Sequence, residues 1–171
     1  EGPSLPRAGK TLLPFTRPNP GDILETSVPR RGEEEVRLRA FAAAGEEQAF
    51  WFGLHAIRAA GPVTVTCSDL TGEAGVIPAG RIGRFLLTTR PRSLSDRNDK
   101  LIAYVADLLD AYAPFALAAG RSRAIYLRVR VPENAAPGVY AGEVAIASGD
   151  AERVTLPVTL RILPLALAKP A

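Results

Sequence analysis

Methionine is absent from this chain, and cysteine, histidine and tryptophan occur once each. A lone Cys67 excludes any internal disulfide. One cysteine with one histidine, His55, cannot close a structural zinc site, which takes four nitrogen or sulfur ligands. No EF-hand-like ligand series and no phosphate-cradling glycine loop opening a helix is present. No metal or other cofactor is therefore expected. Long apolar runs are missing too. A helical membrane span needs about 20 apolar residues, and the longest candidate, Leu101 to Leu117, is broken by Asp107, Asp110 and Pro114. Charge of one sign is lacking: 21 basic residues face 18 acidic ones, for a net charge of +3. Nucleic-acid binding needs a concentrated basic stripe with motif support, so no nucleic-acid partner is expected. The arginine groups at Arg30–Arg31, Arg81–Arg97 and Arg121–Arg130 are expected on the wet faces of strands. A primary translation product begins with methionine, so the chain is expected to be a processed product or a part of something longer. Its start, EGPSLPRAGK, carries no apolar signal core.

What is present is a two-residue rhythm. The last third reads RAIYLRVRVP, ENAAPGVYAGEVAIAS and GDAERVTLPVTLRILPL. Ile125, Leu127, Val129 and Val131 oppose Tyr126, Arg128 and Arg130. Val154, Leu156, Val158, Leu160 and Ile162 oppose Thr155, Pro157, Thr159 and Arg161. Period two puts one row in a core and the other in solvent. The loop from Val131 to Gly138 holds two prolines and a glycine, and Gly149-Asp150 marks a tight hairpin.

The same rhythm recurs upstream. VRLRAFAAA ending at Ala44 reads as a strand. In QAFWFGLHAI, Phe50, Phe52, Leu54 and Ala56 oppose Trp51, Gly53, His55 and Ile57, so this strand is expected to be covered on both faces. PVTVTCSDL and RIGRFLLTTR add strands either side of a glycine-bearing loop from Thr71 to Gly80. Leu101, Val105, Leu108, Leu109 and Tyr112 fit helical spacing, with Ser95 or Asp96 as cap and Pro114 as stop. At most one short helix is expected near 99–112, with an irregular crossover as its competitor. Seven or eight strands in 171 residues give an all-β fold: a two-sheet antiparallel β-sandwich, immunoglobulin-like or jelly-roll-like. Residues 1–33, rich in proline and charge, read as an irregular lead-in or a short edge strand. Residues 34–165 read as the sandwich and 166–171 as a linker stub toward a downstream domain.

Chemistry-bearing patterns are thin. Asp107 with Asp110, Glu46 with Glu47, and Asp69 with Glu73 could pair as acid and base, but each reads as solvated loop acids. His55 sits among aromatics without a nucleophile-elbow motif. Cys67 runs in phase with Val63 and Val65, as a small buried side chain does. Phe50 and Phe52 read as core. Trp51, on the opposite face, is either a stacking platform for a sugar ring or packed against a neighbouring domain. Tyr126 and Tyr140 could join it in stacking.

Several stretches resemble one family. IYLRVRVPENAAPGVYAGEVAI followed by VTLPVTLRILPL is similar to the pattern of the N-terminal β-sandwich domain that precedes the catalytic barrel in family-123 glycoside hydrolases and their relatives. AAAGEEQAFWFGLHAI, VTVTCSDLTGEAGVIPAGRI and AYVADLLDAYAPFAL resemble further segments of that domain. The resemblance spans Val36 to Leu165, and Tyr126 stands where the family often has tryptophan. It implies an accessory role: the family's acid and its neighbour sit in the barrel, aided by the substrate's N-acetyl group, and a barrel takes about 200 residues or more. The expectation is thus a non-catalytic domain that packs on and positions a catalytic barrel of the same chain, in a secreted, cell-surface or periplasmic protein. A carbohydrate-binding module is the alternative, with a glycan held by Trp51, Tyr126 and Tyr140. A small self-contained hydrolase using His55 and a loop acid is the third.

Overall fold

The alternating segments form strands and little else. The computed structural model describes residues 9–93, 102–149 and 152–166. In chain order the strands are β1 (Leu12–Phe15), β2 (Leu38–Ala44), β3 (Glu47–Ala56), β4 (Ala60–Cys67), β5 (Leu70–Gly72) and β6 (Gly75–Ile77). They continue with β7 (Ile82–Ser93), β8 (Ile102–Ala111), β9 (Phe115–Leu117), β10 (Ser122–Arg130), β11 (Gly138–Ser148) and β12 (Glu152–Ala166). The only helical turns among the described residues are single 3-10 turns at Pro20–Asp22 and Ala79–Arg81.

Two sheets result, ordered β1-β3-β10-β7-β8 and β2-β12-β11-β4-β9, with the β5–β6 hairpin attached to β11. All pairings are antiparallel except β12 with β2. The expected two-sheet sandwich is what forms. The strand connections cross between the sheets repeatedly. At the β2–β3 crossing, Gly45 adopts φ 82°, a left-handed value that suits glycine. Glu46 secures that corner by accepting from the Ala43 N–H at 2.8 Å.

The inward rows make one continuous core. Phe50, Phe52 and Leu54 of β3, with Ile125, Leu127 and Val129 of β10, face Val63 and Val65 of β4, Ile146 of β11 and Leu156, Val158 and Leu160 of β12 across the sandwich. Burying each such side chain contributes roughly 1.5–3 kcal/mol.

Segment 102–111 is a strand, neither the short helix nor the irregular crossover expected. It pairs with β7 from Phe85↔Ala111 to Ser93↔Ile102. The register slips between Thr88↔Leu108 and Thr89↔Ala106, leaving Asp107 as an extra residue. A bulge breaks the two-residue period, which is why the apolar positions there mimic helical spacing. The expected caps Ser95 and Asp96, Leu101, Asp150, the first eight residues and residues 167–171 lie outside the described ones.

The lead-in supplies the edge strand β1, which pairs with β3. Residues 16–33 then fold back across the outer face of the five-stranded sheet. Arg17 organises this strap. Its guanidinium donates to the carbonyls of Asp22 (2.6 Å) and Val28 (3.1 Å), to Ser27 Oγ (2.9 Å) and to Glu33 Oε1 (3.2 Å). It also stacks 5.4 Å from the Phe15 ring centroid. One planar five-donor group thus closes a loop that has no regular structure of its own.

Candidate functional site

Period two sends Trp51, Tyr126 and Phe85 outward from the five-stranded sheet. The register then aligns them: Trp51 of β3 lies opposite Tyr126 of β10, and Tyr126 opposite Phe85 of β7. All three are partly exposed. The result is an aromatic row across three strands. Arg128, two residues along β10, stacks 5.0 Å from the Phe85 ring. Glu47 sits between Arg130 at 2.9 Å and Arg128 at 3.6 Å. An aromatic row flanked by paired charges has the composition of a sugar-stacking or protein-packing surface.

The strap closes one side of that row. Trp51 Nε1 donates to the Arg17 carbonyl at 2.9 Å, and the indole packs on a second cluster made by Phe15, Ile23, Leu87 and Ala124. Trp51 therefore packs on this chain's own N-terminal segment, with one edge lining a small pocket of about 140 Å³ beside Arg37 and Arg39. Phe85 and Arg128 were not singled out from sequence; only the β3–β10–β7 register reveals them.

Tyr140 leaves the candidate set. It is 2% exposed in the core, and its hydroxyl donates to the Ala136 carbonyl at 2.8 Å. The β11 phase that carries Val139 outward carries Tyr140 in, so its ring is packed against the sandwich interior and offers no stacking face.

His55 is buried on the same outer face, beneath the strap. Its Nδ1 lies 2.9 Å from Ser122 Oγ. Ser122 Oγ itself donates to the Ser27 carbonyl at 2.7 Å. A hydroxyl has one proton to give, so Ser122 accepts from His55 Nδ1–H. Burial pushes the imidazole below its ordinary 6.5, partly offset by a hydrogen bond to the Ser27 backbone. This network ties strap, β3 and β10 together, and neither of its partners is a carboxylate.

Cys67 is half-buried in phase with Val63 and Val65. Burial pushes its thiol up to about 11, against a smaller opposing pull from Arg84. At neutral pH it is a thiol, and the thiolate is the nucleophile. Four of the candidate acids have structural partners. Glu46 holds the β2–β3 corner, Glu47 pairs with two arginines, Asp69 accepts from the Ala79 N–H at 2.7 Å, and Asp110 accepts from Thr88 Oγ1 at 2.7 Å. The described residues contain no group of three His, Cys, Asp or Glu able to hold a metal ion. A groove of about 880 Å³ runs between the β1 edge and β12, with Lys10, Arg31 and Arg37 mixed among Glu34 and Glu35.

Fold and surface together define a β-sandwich module with an apolar core and its distinctive side chains on the outer faces. Residues 26–148 match the profile described as Glycoside hydrolase 123 N-terminal domain. The match covers well over half of the 171 residues, and the chain belongs to that family. Among solved structures it is similar to one titled for glycolipid glycan hydrolysis by a family 123 glycoside hydrolase from Clostridium perfringens. The TM-score is 0.69 at 17% identity, over 77% of this chain and 23% of that one. The likeness is one of fold, and this chain spans about a quarter of that enzyme. An alignment with the ASH / PapD-like domain of human CEP192 (PapD-like domain 7) has a TM-score of 0.34 at 12% identity, over 95% of this chain and 98% of that one. At that score it carries no argument. No curated protein matches the chain in sequence.

Proposed function

We propose that this chain is a non-catalytic accessory domain of a larger glycoside hydrolase, and that it packs on and positions the catalytic barrel of the same polypeptide. Family membership over residues 26–148 carries the reading. The side chains support it: Glu46, Glu47, Asp69 and Asp110 are held by structural partners, His55 is tied into a buried network, and Cys67 is protonated. In this reading the barrel, not the sandwich, meets the glycan. The parent protein is secreted, cell-surface or periplasmic.

The test compares the 171-residue chain, the whole polypeptide and the whole polypeptide lacking this domain, on chromogenic N-acetyl amino-sugar glycosides. The chain alone should be inactive. Removing it should lower the heat stability or activity of the remainder. Hydrolysis by the chain alone, abolished by His55→Ala, would overturn the reading.

The Trp51–Tyr126–Phe85 row favours a second reading, a carbohydrate-binding module. Calorimetry against polysaccharides and amino-sugar glycans, with Trp51 fluorescence in parallel, decides it. Absence of both heat and fluorescence change removes it.

A further inference from the structure

The two outer faces differ. The five-stranded sheet is crossed by its own strap, and ion pairs join Arg17 with Glu33, Arg123 with Glu25, and Arg128 and Arg130 with Glu47. The seven-stranded sheet carries one ion pair, Arg153 with Glu143 at 3.8 Å, and no strap crosses it among the described residues. Across it the register aligns Phe41 of β2 with Arg161 of β12 and Val139 of β11. The neighbouring row runs Arg39, Thr159, Ala141, Thr71 and Val76. Phe41 is 67% exposed, Val139 and Val76 are each 54% exposed, and Leu165 further along β12 is 48% exposed. Single exposed apolar side chains are ordinary, but a contiguous group of them marks a contact surface. Arg161 stands among them on β12, and Arg39 on the edge strand β2, where it also borders the small pocket beside Trp51. No side-chain hydrogen bond or ion pair holds either guanidinium among the described residues; no acid lies in these two rows, and Glu143 on the same face of β11 pairs with Arg153. Arginine with aromatic and aliphatic neighbours is the composition of an interface centre.

We propose that this face, centred on Phe41, Arg161 and Val139, is the surface that docks on the catalytic module of the same polypeptide. The module presents an apolar surface bearing carboxylates to it. The proposal rests on the accessory reading above and adds the face and the chemistry of its partner. Charge complementarity selects the occupant's character. Two arginines without acids call for acids from outside, and like charges brought against them would be repelled.

The experiment uses the whole polypeptide, with small-angle scattering and interdomain cross-linking as readouts. Phe41 and Arg161 are exposed, so Phe41→Ser with Arg161→Glu should leave the domain's own unfolding midpoint in place. The variant should lose roughly tenfold or more of the docked population, as truncating a central interface residue does. Leu109→Ser, on the exposed part of the opposite face, should stay docked. Opening by Leu109→Ser instead, or no opening by either variant, overturns the face assignment while leaving the accessory reading intact. A wild-type polypeptide whose two parts tumble independently overturns both. A chain of 171 residues that dimerises until Arg161→Glu is introduced also overturns the proposal, because the face then serves a second copy.

Discussion

Gly53 offers the sharpest test of how the strap and sheet fit together. It lies directly opposite Phe15 in the β1–β3 register. A Cβ at Gly53 would stand 2.3 Å from Phe15 Cζ and 2.4 Å from Cε1. Carbon atoms pack at about 3.5–4.0 Å, so Gly53→Ala forces the ring to move by more than an ångström. Phe15 is fully buried and boxed in by Ile23, Leu87, Ala124 and Trp51. Overpacking of this kind costs about 1–3 kcal/mol. For a chain of this size that corresponds to a fall in Tm of about 2–12 °C, at 2–4 °C per kcal/mol.

The cost should be specific to the ring. Phe15→Leu alone creates space and should cost about 1–2 kcal/mol, less than truncation to alanine. Combined with Gly53→Ala, the smaller side chain admits the new methyl. The double variant should then be more stable than the sum of its parts by about 1 kcal/mol. Urea unfolding followed by the single tryptophan, Trp51, reads it directly, since the indole packs on this cluster. The midpoint should shift while the slope stays constant. Additive costs, or a Gly53→Ala variant within about 0.5 kcal/mol of wild type, would refute the packing argument.

Three further outcomes are expected. His55 is held below its unfolded-state value, so the unfolded chain takes up a proton first as pH falls. Stability should be complete above about pH 6.5 and decline below it, by at most about 1.4 kcal/mol per pH unit. His55→Gln should remove that slope in urea titrations between pH 7 and 5; an unchanged slope would assign it to other groups. Cys67, pushed up from 9.0 to about 11, should react with iodoacetamide at pH 8 about a hundredfold more slowly than an unperturbed thiol, and at the ordinary rate in urea; equal rates folded and unfolded would contradict its burial. Tyr112 Oη accepts from the Val65 N–H at 2.6 Å, so Tyr112→Phe should orphan a buried donor and cost about 1–3 kcal/mol in the same urea assay; a neutral result would mean another group takes that proton.

The sandwich was legible because one face of nearly every strand is buried, and burial writes period two into the sequence. Ile125, Leu127 and Val129 announce their face without help from any neighbour. Asp107 hides β8, since one bulged residue moves the apolar positions out of phase. β1, β5, β6 and β9 are three or four residues long, too short to show a period beside prolines and glycines. The aromatic site was half legible. The outward phase of Trp51 and Tyr126 follows from alternation, but their alignment with Phe85 is a matter of register, which turn lengths and long-range pairing set. Tyr140 fails for a related reason: PGVYAG looks like a turn, and the strand phase that buries the ring is fixed only by β11 meeting β12 from Gly138↔Ile162 onward.

Arginines are used differently at different places on the two outer faces; on the seven-stranded side Arg153 pairs with Glu143 while Arg39 and Arg161 do not pair. Alternation alone would send every one of them to solvent. On the five-stranded side they are drawn into local contacts, as Arg17 ties the strap and Arg128 lies over Phe85 beside Glu47. Arg84, at the sandwich edge, donates to the Val65 carbonyl at 2.6 Å and stacks on Tyr112. There it covers backbone that β9 does not reach, since β9 pairs β4 only at Ala60 and Val63. Arg17 and Arg84 thereby commit donors inside the domain, whereas Arg128 lies over Phe85 with its Nε–H buried and without a hydrogen-bond partner. Arg39 and Arg161 keep theirs, amid Phe41, the most exposed of the large apolar side chains, and its neighbours. Exposed pairs contribute little to stability, so leaving these two unpaired costs the isolated fold almost nothing. A surface that is free to the fold and complementary to an acidic partner is the kind on which association can act without disturbing the core.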